Sequence, residues 1–177
     1  MKIKFNQLII GIIITLIILF IFEVVLSTFL PILGLGRYIL PINVLIILYL
    51  SFELDTPLLS VLIFLVQYTH SIFSVEEWAI GTIAGVIIGF IVSFLRDLLR
   101  LSTPLITIVI VQIFQIIWFI ITSFLNYMQT NDFNLILSKL WLFIPESLII
   151  SILSPLFFFV LNKIWRVNSS SMVGQEN

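Results

Sequence analysis

Cysteine is absent from this sequence, and charged side chains are scarce. Only 10% of the 177 residues are Asp, Glu, Lys or Arg, whereas a soluble domain carries about 25%. Without cysteine the sequence offers no disulfide, no thiol nucleophile and no thiolate metal ligand. With so few charges it cannot cover a surface that faces water. These deficits exclude an ordinary soluble domain and several kinds of active site.

Histidine and the common catalytic motifs are also scarce or missing. The sequence has one histidine and a formal net charge of −1, which disfavours a histidine-based metal site and a nucleic-acid partner. It contains no Walker loop, no H-E-x-x-H and no nucleophile elbow. We therefore predict a protein that is not an enzyme, with no catalytic residues, no cofactor and no metal.

Apolar residues make up most of what is present. They account for 61% of the chain, with 17 Phe, and the mean hydropathy is +1.28. Such a composition predicts an all-α, polytopic integral membrane protein surrounded by membrane lipid. Residues 1–166 are predicted to form a single transmembrane bundle. The polar, serine-rich residues 167–177 are predicted to form a disordered cytoplasmic tail.

The apolar runs predict about six transmembrane helices, because a hydrocarbon core of about 30 Å takes about 20 helical residues. The predicted segments are 8–30, 39–52, 58–73, 78–95, 102–128 and 142–164, with residues 133–140 lying at the membrane interface.

The second and third segments are short for a full crossing. Four crossings plus a re-entrant hairpin would fit the loop charges equally well. Six crossings are the favoured prediction, because re-entrant backbone has to be buried inside protein.

The basic residues predict the orientation, because Lys and Arg near membrane ends favour the cytoplasmic side. With the N-terminus inside and six crossings, the inner basic residues are Lys2, Lys4, Arg96, Arg100, Lys163 and Arg166, and the outer ones are Arg37 and Lys139. This split predicts that both termini lie in the cytoplasm.

Three glycines repeat at a spacing of four in the fourth segment. Gly81, Gly85 and Gly89 therefore share one helix face, where another helix can approach closely. Two interpretations stay open. The face either binds a partner protein or packs against helices of the same chain.

Five polar residues are predicted to collect in the outer half of the membrane: Glu23, Asn43, Gln67, His70 and Glu146. Ionisable groups at such depth are expensive, so they should face a partner group or a watery cavity. They would bind a ligand or ion, contact another membrane protein, or form hydrogen bonds as protonated structural residues. In the fifth segment, Gln112 and Gln115 share a face, where amides usually hold membrane helices together.

Two short segments resemble a known family. The second helix opens with Pro41-Ile42-Asn43, and the last one reads Pro145-Glu146-Ser147 and later Ser154-Pro155-Leu156-Phe157, ending in the basic stretch 162–166. In size, helix order and these features the chain resembles the MreD family of bacterial rod-shape-determining proteins, and the final helix carries most of the likeness.

The resemblance implies a non-enzymatic component of the machinery that elongates the lateral cell wall, located in the bacterial cytoplasmic (inner) membrane. The implied partners are MreC, the MreB cytoskeleton and the wall synthases. It also implies a bundle similar to the substrate-binding subunits of energy-coupling-factor vitamin transporters. That likeness supplies an alternative function, a transporter subunit that binds a small molecule near the outer polar residues. The sequence does not favour this alternative, because the outer loops are short and offer little to cover a solute pocket.

Overall fold

A computed structural model of the chain describes residues 5–54, 58–74, 78–96 and 103–170, and the side chains of residues 9–165 within those ranges. Every regular element in these ranges is an α-helix. The helices are α1 (Phe5–Ile32), α2 (Ile42–Glu53), α3 (Leu59–Ser71), α4 (Trp78–Leu95), α5 (Pro104–Thr130) and α6 (Phe133–Ser170).

The helix lengths divide into two groups. Four apolar helices are long enough to cross a membrane, namely Ile9–Ile32, Trp78–Leu95, Pro104–Thr130 and Phe133–Trp165. The other two, α2 and α3, have 12 and 13 residues, or about 18 and 20 Å at 1.5 Å per residue. The chain is therefore a multi-pass helical membrane protein. The six full crossings expected from the sequence are not confirmed by these lengths.

Helix α2 lies in the centre of the bundle. Every residue from Ile42 to Phe52 is buried, and α2 contacts each of the other five helices. A helix in which apolar side chains point in all directions needs such a position. The other helices therefore enclose α2 in protein. A short helix at membrane depth requires such burial.

A proline sets the start of α2. The sequence predicted a helix from residue 39, but the helix begins at Ile42, and Pro41 is its N-cap residue. A residue before proline is driven away from helical backbone angles, so Leu40 cannot join the helix. The backbone N–H of Val44 donates to the Pro41 carbonyl at 3.2 Å, which closes the first turn.

Helix α6 is longer than expected. The sequence predicted an interfacial stretch over 133–140 and a separate helix over 142–164, whereas one helix runs from Phe133 to Ser170 with two prolines inside it. The Asp132 carboxylate accepts the backbone N–H of Asn134 at 2.9 Å, which caps the helix start. Residues 167–170 of the predicted tail are helical, and 171–177 lie outside the described residues, as do Lys2, Lys4 and Arg100.

Three of the long helices, α1, α5 and α6, each have one end on the same side of the bundle. Phe22 of α1 packs on Phe157 of α6, with ring centroids 4.9 Å apart, and Trp165 near the end of α6 packs over Gly11 near the start of α1. α1 and α6 are therefore antiparallel. The left-handed residue Asn131 (φ 52°) ends α5 and turns the chain into α6. We call the end of the bundle where α1 and α5 finish and α6 begins the Asn131 end.

The outer surface of the bundle is apolar. On α4, Phe90 and Phe94 are 76% and 79% exposed, while the opposite face, which carries the three glycines, is buried. Large exposed apolar areas are rare on soluble monomers. They are expected where the surrounding solvent is lipid.

Candidate functional site

A buried carboxyl–imidazole pair joins α1 to α3. Glu23 Oε1 and His70 Nδ1 lie 2.6 Å apart, and the two residues are only 5% and 2% exposed. An unpaired charge would be strongly destabilising at this depth. As an ion pair or as two neutral groups sharing a hydrogen bond, the pair carries no net charge.

A second polar pair lies one turn away on α3. The side-chain amide of Asn43 donates to Gln67 Oε1 at 3.2 Å, which joins α2 to α3. Because Gln67 and His70 are three residues apart, they share a helix face. The structure therefore brings four of the five predicted polar residues into two neighbouring pairs. Asn43 Oδ1 and Gln67 Nε2 have no hydrogen-bond partner among the described residues.

The glycine face of α4 packs inside the chain's own bundle. A Cβ atom added at Gly81 would lie 2.5 Å from Gln67 Oε1, and one at Gly85 would lie 2.6 Å from Ile63 Cγ2. A Cβ at Gly89 would meet Ile63 Cδ1 at 3.0 Å. The close approach that the spacing predicted is thus made by α2 and α3. This face is not available to a partner protein in this arrangement.

The fifth predicted polar residue, Glu146, fixes the connection between α1 and α2. Its Oε1 accepts the backbone N–H of Ile39 at 2.7 Å, across 107 residues of sequence. The sequence left open whether Glu146 binds a ligand, contacts another membrane protein or forms a structural hydrogen bond. The contact with Ile39 is a hydrogen bond to the backbone of a distant segment, next to Pro41.

Two glutamines one turn apart on α5 have different surroundings. Gln112 donates to Ser147 Oγ at 3.2 Å and accepts from the Ser151 hydroxyl at 2.7 Å, so it holds α5 to α6. Gln115 is 1% exposed, and neither its Oε1 nor its Nε2 has a partner among the described residues. The adhesive role expected from the sequence applies to Gln112 alone.

A cavity of about 220 Å³ lies next to these groups. Its wall on α5 follows one stripe from Gln115 through Trp118 and Thr122 to Asn126, which spans about 16 Å of helix. His70 and Val44 of the short helices also line it. We call this space the polar cavity, and it is large enough to hold water or a small solute.

The polar cavity exists because α2 and α3 are short. His70, near the end of α3, pairs with Glu23, which lies nine residues before the end of α1, or about 13 Å along the helix. The long helices thus continue towards the Asn131 end beyond the point where α3 stops. The connection before α2 closes part of the remaining space through Arg37, Ile39 and Pro41.

Among the described residues, three charged side chains line the polar cavity. Arg37 and Lys139 bring two cationic side chains, and Glu146 brings one carboxylate. These are the two basic residues that the sequence assigned to the outer side, and α5, α6 and the α1–α2 connection bring them together. Among the described residues, no group of three or more His, Asp or Glu side chains could hold a metal ion.

Sequence reasoning missed the part of the site that α5 contributes. The spacing of Gln115, Trp118, Thr122 and Asn126 by three or four residues is visible in the sequence and places them on one face. Nothing in that spacing distinguishes a cavity wall from ordinary helix packing. Comparisons with known proteins give no further guide, since no protein-family model, no curated protein and no solved structure matches this chain.

Proposed function

We propose that this chain is a non-enzymatic membrane component of the bacterial cell-wall elongation machinery, of the MreD type, that helps to determine rod shape by binding partner membrane proteins. One observation supports this proposal most. The two short segments that resemble the family, 41–43 and 145–147, lie far apart in sequence but meet at one place in the fold. Glu146 bonds to Ile39, two residues before Pro41, and both Pro41 and Glu146 line the polar cavity.

The meeting of these segments gives the resemblance a structural reason. A proline that fixes the start of α2 and a carboxylate that holds the preceding backbone act on the same few residues. Together they set where the central helix begins. That two segments far apart in sequence act on the same residues supports the proposal.

The proposed partners are MreC and other proteins of the elongation complex, in the inner membrane with both termini of this chain cytoplasmic. Partner helices would bind faces other than the glycine face, because α2 and α3 occupy that face. In this orientation the Asn131 end and the polar cavity lie towards the outside of the cell. The α2–α3 hairpin then reaches inwards from that side.

Replacement in the native bacterium tests the proposed function. We expect depletion of the protein to turn rods into rounded cells and to reduce insertion of new lateral wall. The wild-type gene should restore rods, Glu146→Ala should restore them poorly, and Glu53→Gln, at an exposed carboxylate, should restore them fully. Unchanged shape and wall synthesis after depletion would contradict the proposal.

The polar cavity favours a second candidate, a substrate-binding membrane subunit of a small-molecule transporter. A space lined by aromatic side chains and a few convergent polar groups is the usual form of a solute site. This candidate predicts that depletion impairs uptake of a small nutrient and leaves cell shape unchanged when the nutrient is supplied in excess. The same depletion strain therefore separates the two functions.

A further inference from the structure

The unpartnered amide of Gln115 is the feature that the packing of the bundle does not explain. A buried amide without hydrogen bonds destabilises a protein, and an apolar residue of the same size would avoid that penalty. Gln112 lies one turn earlier on the same helix, and both the nitrogen and the oxygen of its side-chain amide bond to serines of α6. The bundle therefore provides hydrogen-bond partners for a glutamine side chain at a position where the amide has a structural role. Gln115 is instead one of the residues that line the polar cavity, and its amide has no hydrogen-bond partner among the described residues.

The type of side chain that lines the polar cavity changes along its length. Its deep part contains the uncharged amide of Gln115 and the imidazole of His70, both almost fully buried. Its middle is lined by rings and aliphatic side chains, among them Trp118 and Phe119. Towards the Asn131 end lies Lys139, six residues after the start of α6.

We call the part of the polar cavity next to Arg37 and Lys139 its entrance, and among the described residues the charged groups there sum to a net positive charge. Arg37 is exposed and Lys139 is half-buried, and the Glu146 carboxylate, already bonded to the Ile39 N–H, is the acidic group beside them. Two cations against one carboxylate leave one positive charge in excess. The Glu23 carboxyl pairs with His70 deeper in the bundle, and both side chains are buried.

We infer that the polar cavity binds a small amphipathic anion. Such a molecule carries one carboxylate or phosphate group at the entrance, next to Arg37 and Lys139. Its apolar body lies against Trp118 and Phe119. A carbonyl, amide or hydroxyl group at its inner end bonds to Gln115, whose amide both donates and accepts hydrogen bonds.

The size of the polar cavity limits the molecule. A volume of about 220 Å³ lies just below the ~300–1,000 Å³ of pockets for drug-sized ligands. The occupant is therefore smaller than a drug-sized molecule, or it is the anionic end of a larger lipid. This inference gives a substrate class to the transporter candidate, and it is independent of the proposed role in wall elongation.

Binding of paired acids and amides to the purified full-length protein tests this inference. The probes are 4-hydroxyphenylacetate with neutral 4-hydroxyphenylacetamide, and 3-(4-hydroxyphenyl)propionate with neutral 3-(4-hydroxyphenyl)propionamide, each of which carries a hydroxyl group at the end opposite the acid or amide. Affinities are measured by isothermal titration calorimetry in detergent and in phosphatidylcholine nanodiscs. We expect at least one anionic probe to bind about tenfold more tightly than its neutral counterpart, a ratio ordinary for a charge-assisted contact. No binding by any anionic probe, or equal affinities within both pairs, would overturn the inference.

Two variants locate the site, each with a matched control. Lys139→Gln should weaken binding of the anionic probe about tenfold, whereas Lys163→Gln, at an exposed lysine near the far end of α6, should leave it unchanged. Gln115→Leu should weaken the anionic probe and its neutral counterpart alike, because it removes a contact that does not involve the charge. Gln112→Leu should bind both as the wild type does. Equal effects of the two lysine variants, or no effect of Gln115→Leu, would refute the assignment.

Nanodiscs of different lipid distinguish a free solute from a lipid headgroup. If an anionic lipid occupies the polar cavity, phosphatidylglycerol nanodiscs should weaken binding of the anionic probe compared with phosphatidylcholine nanodiscs. If the occupant is a soluble molecule, the affinity should be the same in both. Either result supports an anion site. Cell shape after depletion is a separate readout, so failure here leaves the wall-elongation proposal intact.

Discussion

Glu23 Oε1 and His70 Nδ1 lie 2.6 Å apart in the buried interior, where they join α1 to α3 across 47 residues of sequence. Each group is the hydrogen-bonding partner of the other, and both side chains are buried. α3 has only 13 residues and ends near this contact. The pair therefore holds the end of α3 against α1, next to the polar cavity that His70 lines.

Breaking this pair on one side should destabilise the protein strongly. We expect Glu23→Leu or His70→Leu to lower the free energy of unfolding by about 3–5 kcal/mol, because one polar group stays buried without its partner. The Glu23→Leu/His70→Leu double variant should lose much less than the sum of the two. Unfolding in detergent, followed by circular dichroism, measures all three in one double-mutant cycle. Additive losses would show that the two groups are not coupled.

Gly85 should not tolerate a methyl group. A Cβ atom there would lie 2.6 Å from Ile63 Cγ2 and 3.2 Å from Ile47 Cδ1, so Gly85→Ala overpacks the contact of α4 with α2 and α3. We expect a loss of about 1–3 kcal/mol in the free energy of unfolding.

A second substitution checks the cause of that loss. Ile63→Ala removes the atom nearest to the new methyl group, so adding Gly85→Ala to it should destabilise little further. Ser93→Thr, which adds one methyl group at an exposed position of α4, is the matched control and should stay within about 0.5 kcal/mol of the wild type. If Gly85→Ala lowers the free energy of unfolding as much in the Ile63→Ala variant as in the wild type, the proposed clash with Ile63 is contradicted.

The two glutamines of α5 should respond in opposite directions to the same change. Gln115→Leu removes a buried amide without a partner, and we expect it to raise the stability of the ligand-free protein by about 1 kcal/mol or more. Gln112→Leu removes two hydrogen bonds to α6 and should lower stability by about 1 kcal/mol. Thermal unfolding of the two variants side by side measures the difference. Destabilisation by Gln115→Leu would mean that its amide has a structural partner.

Introduced cysteines can map the topology, because the natural sequence has none. If α2 and α3 both cross the membrane, Glu53→Cys, at the exposed end of α2, should react with a membrane-impermeant maleimide from the cytoplasmic side. Thr130→Cys, at the Asn131 end, should react from the outside only. Labelling at position 130 and none at position 53 from either side would indicate a re-entrant hairpin with an embedded tip.

Some of the site could be read from residue types and spacing alone. The glycine interval predicted a close helix contact, and the cost of burying polar groups predicted that Glu23 and His70 would need partners. Spacing could not say which helix meets Gly85, because any helix can fill a small-residue face. It also could not separate Gln112 from Gln115, since both occupy the same side of α5 and differ only in what α6 places opposite them.

The sequence by itself determined that this protein is a helical membrane protein. Its composition is too apolar for a surface in water, and in lipid the backbone has to form its hydrogen bonds within the protein, as a helix does. The sequence also determined the scarcity of charge that makes each buried polar group costly. Only the tertiary structure decided that α2 is enclosed by the other five helices, that Glu146 holds the backbone before Pro41, and that Arg37 and Lys139 meet at one cavity. These relationships join residues far apart in sequence, and they depend on how helices of unequal length pack, which no local pattern records.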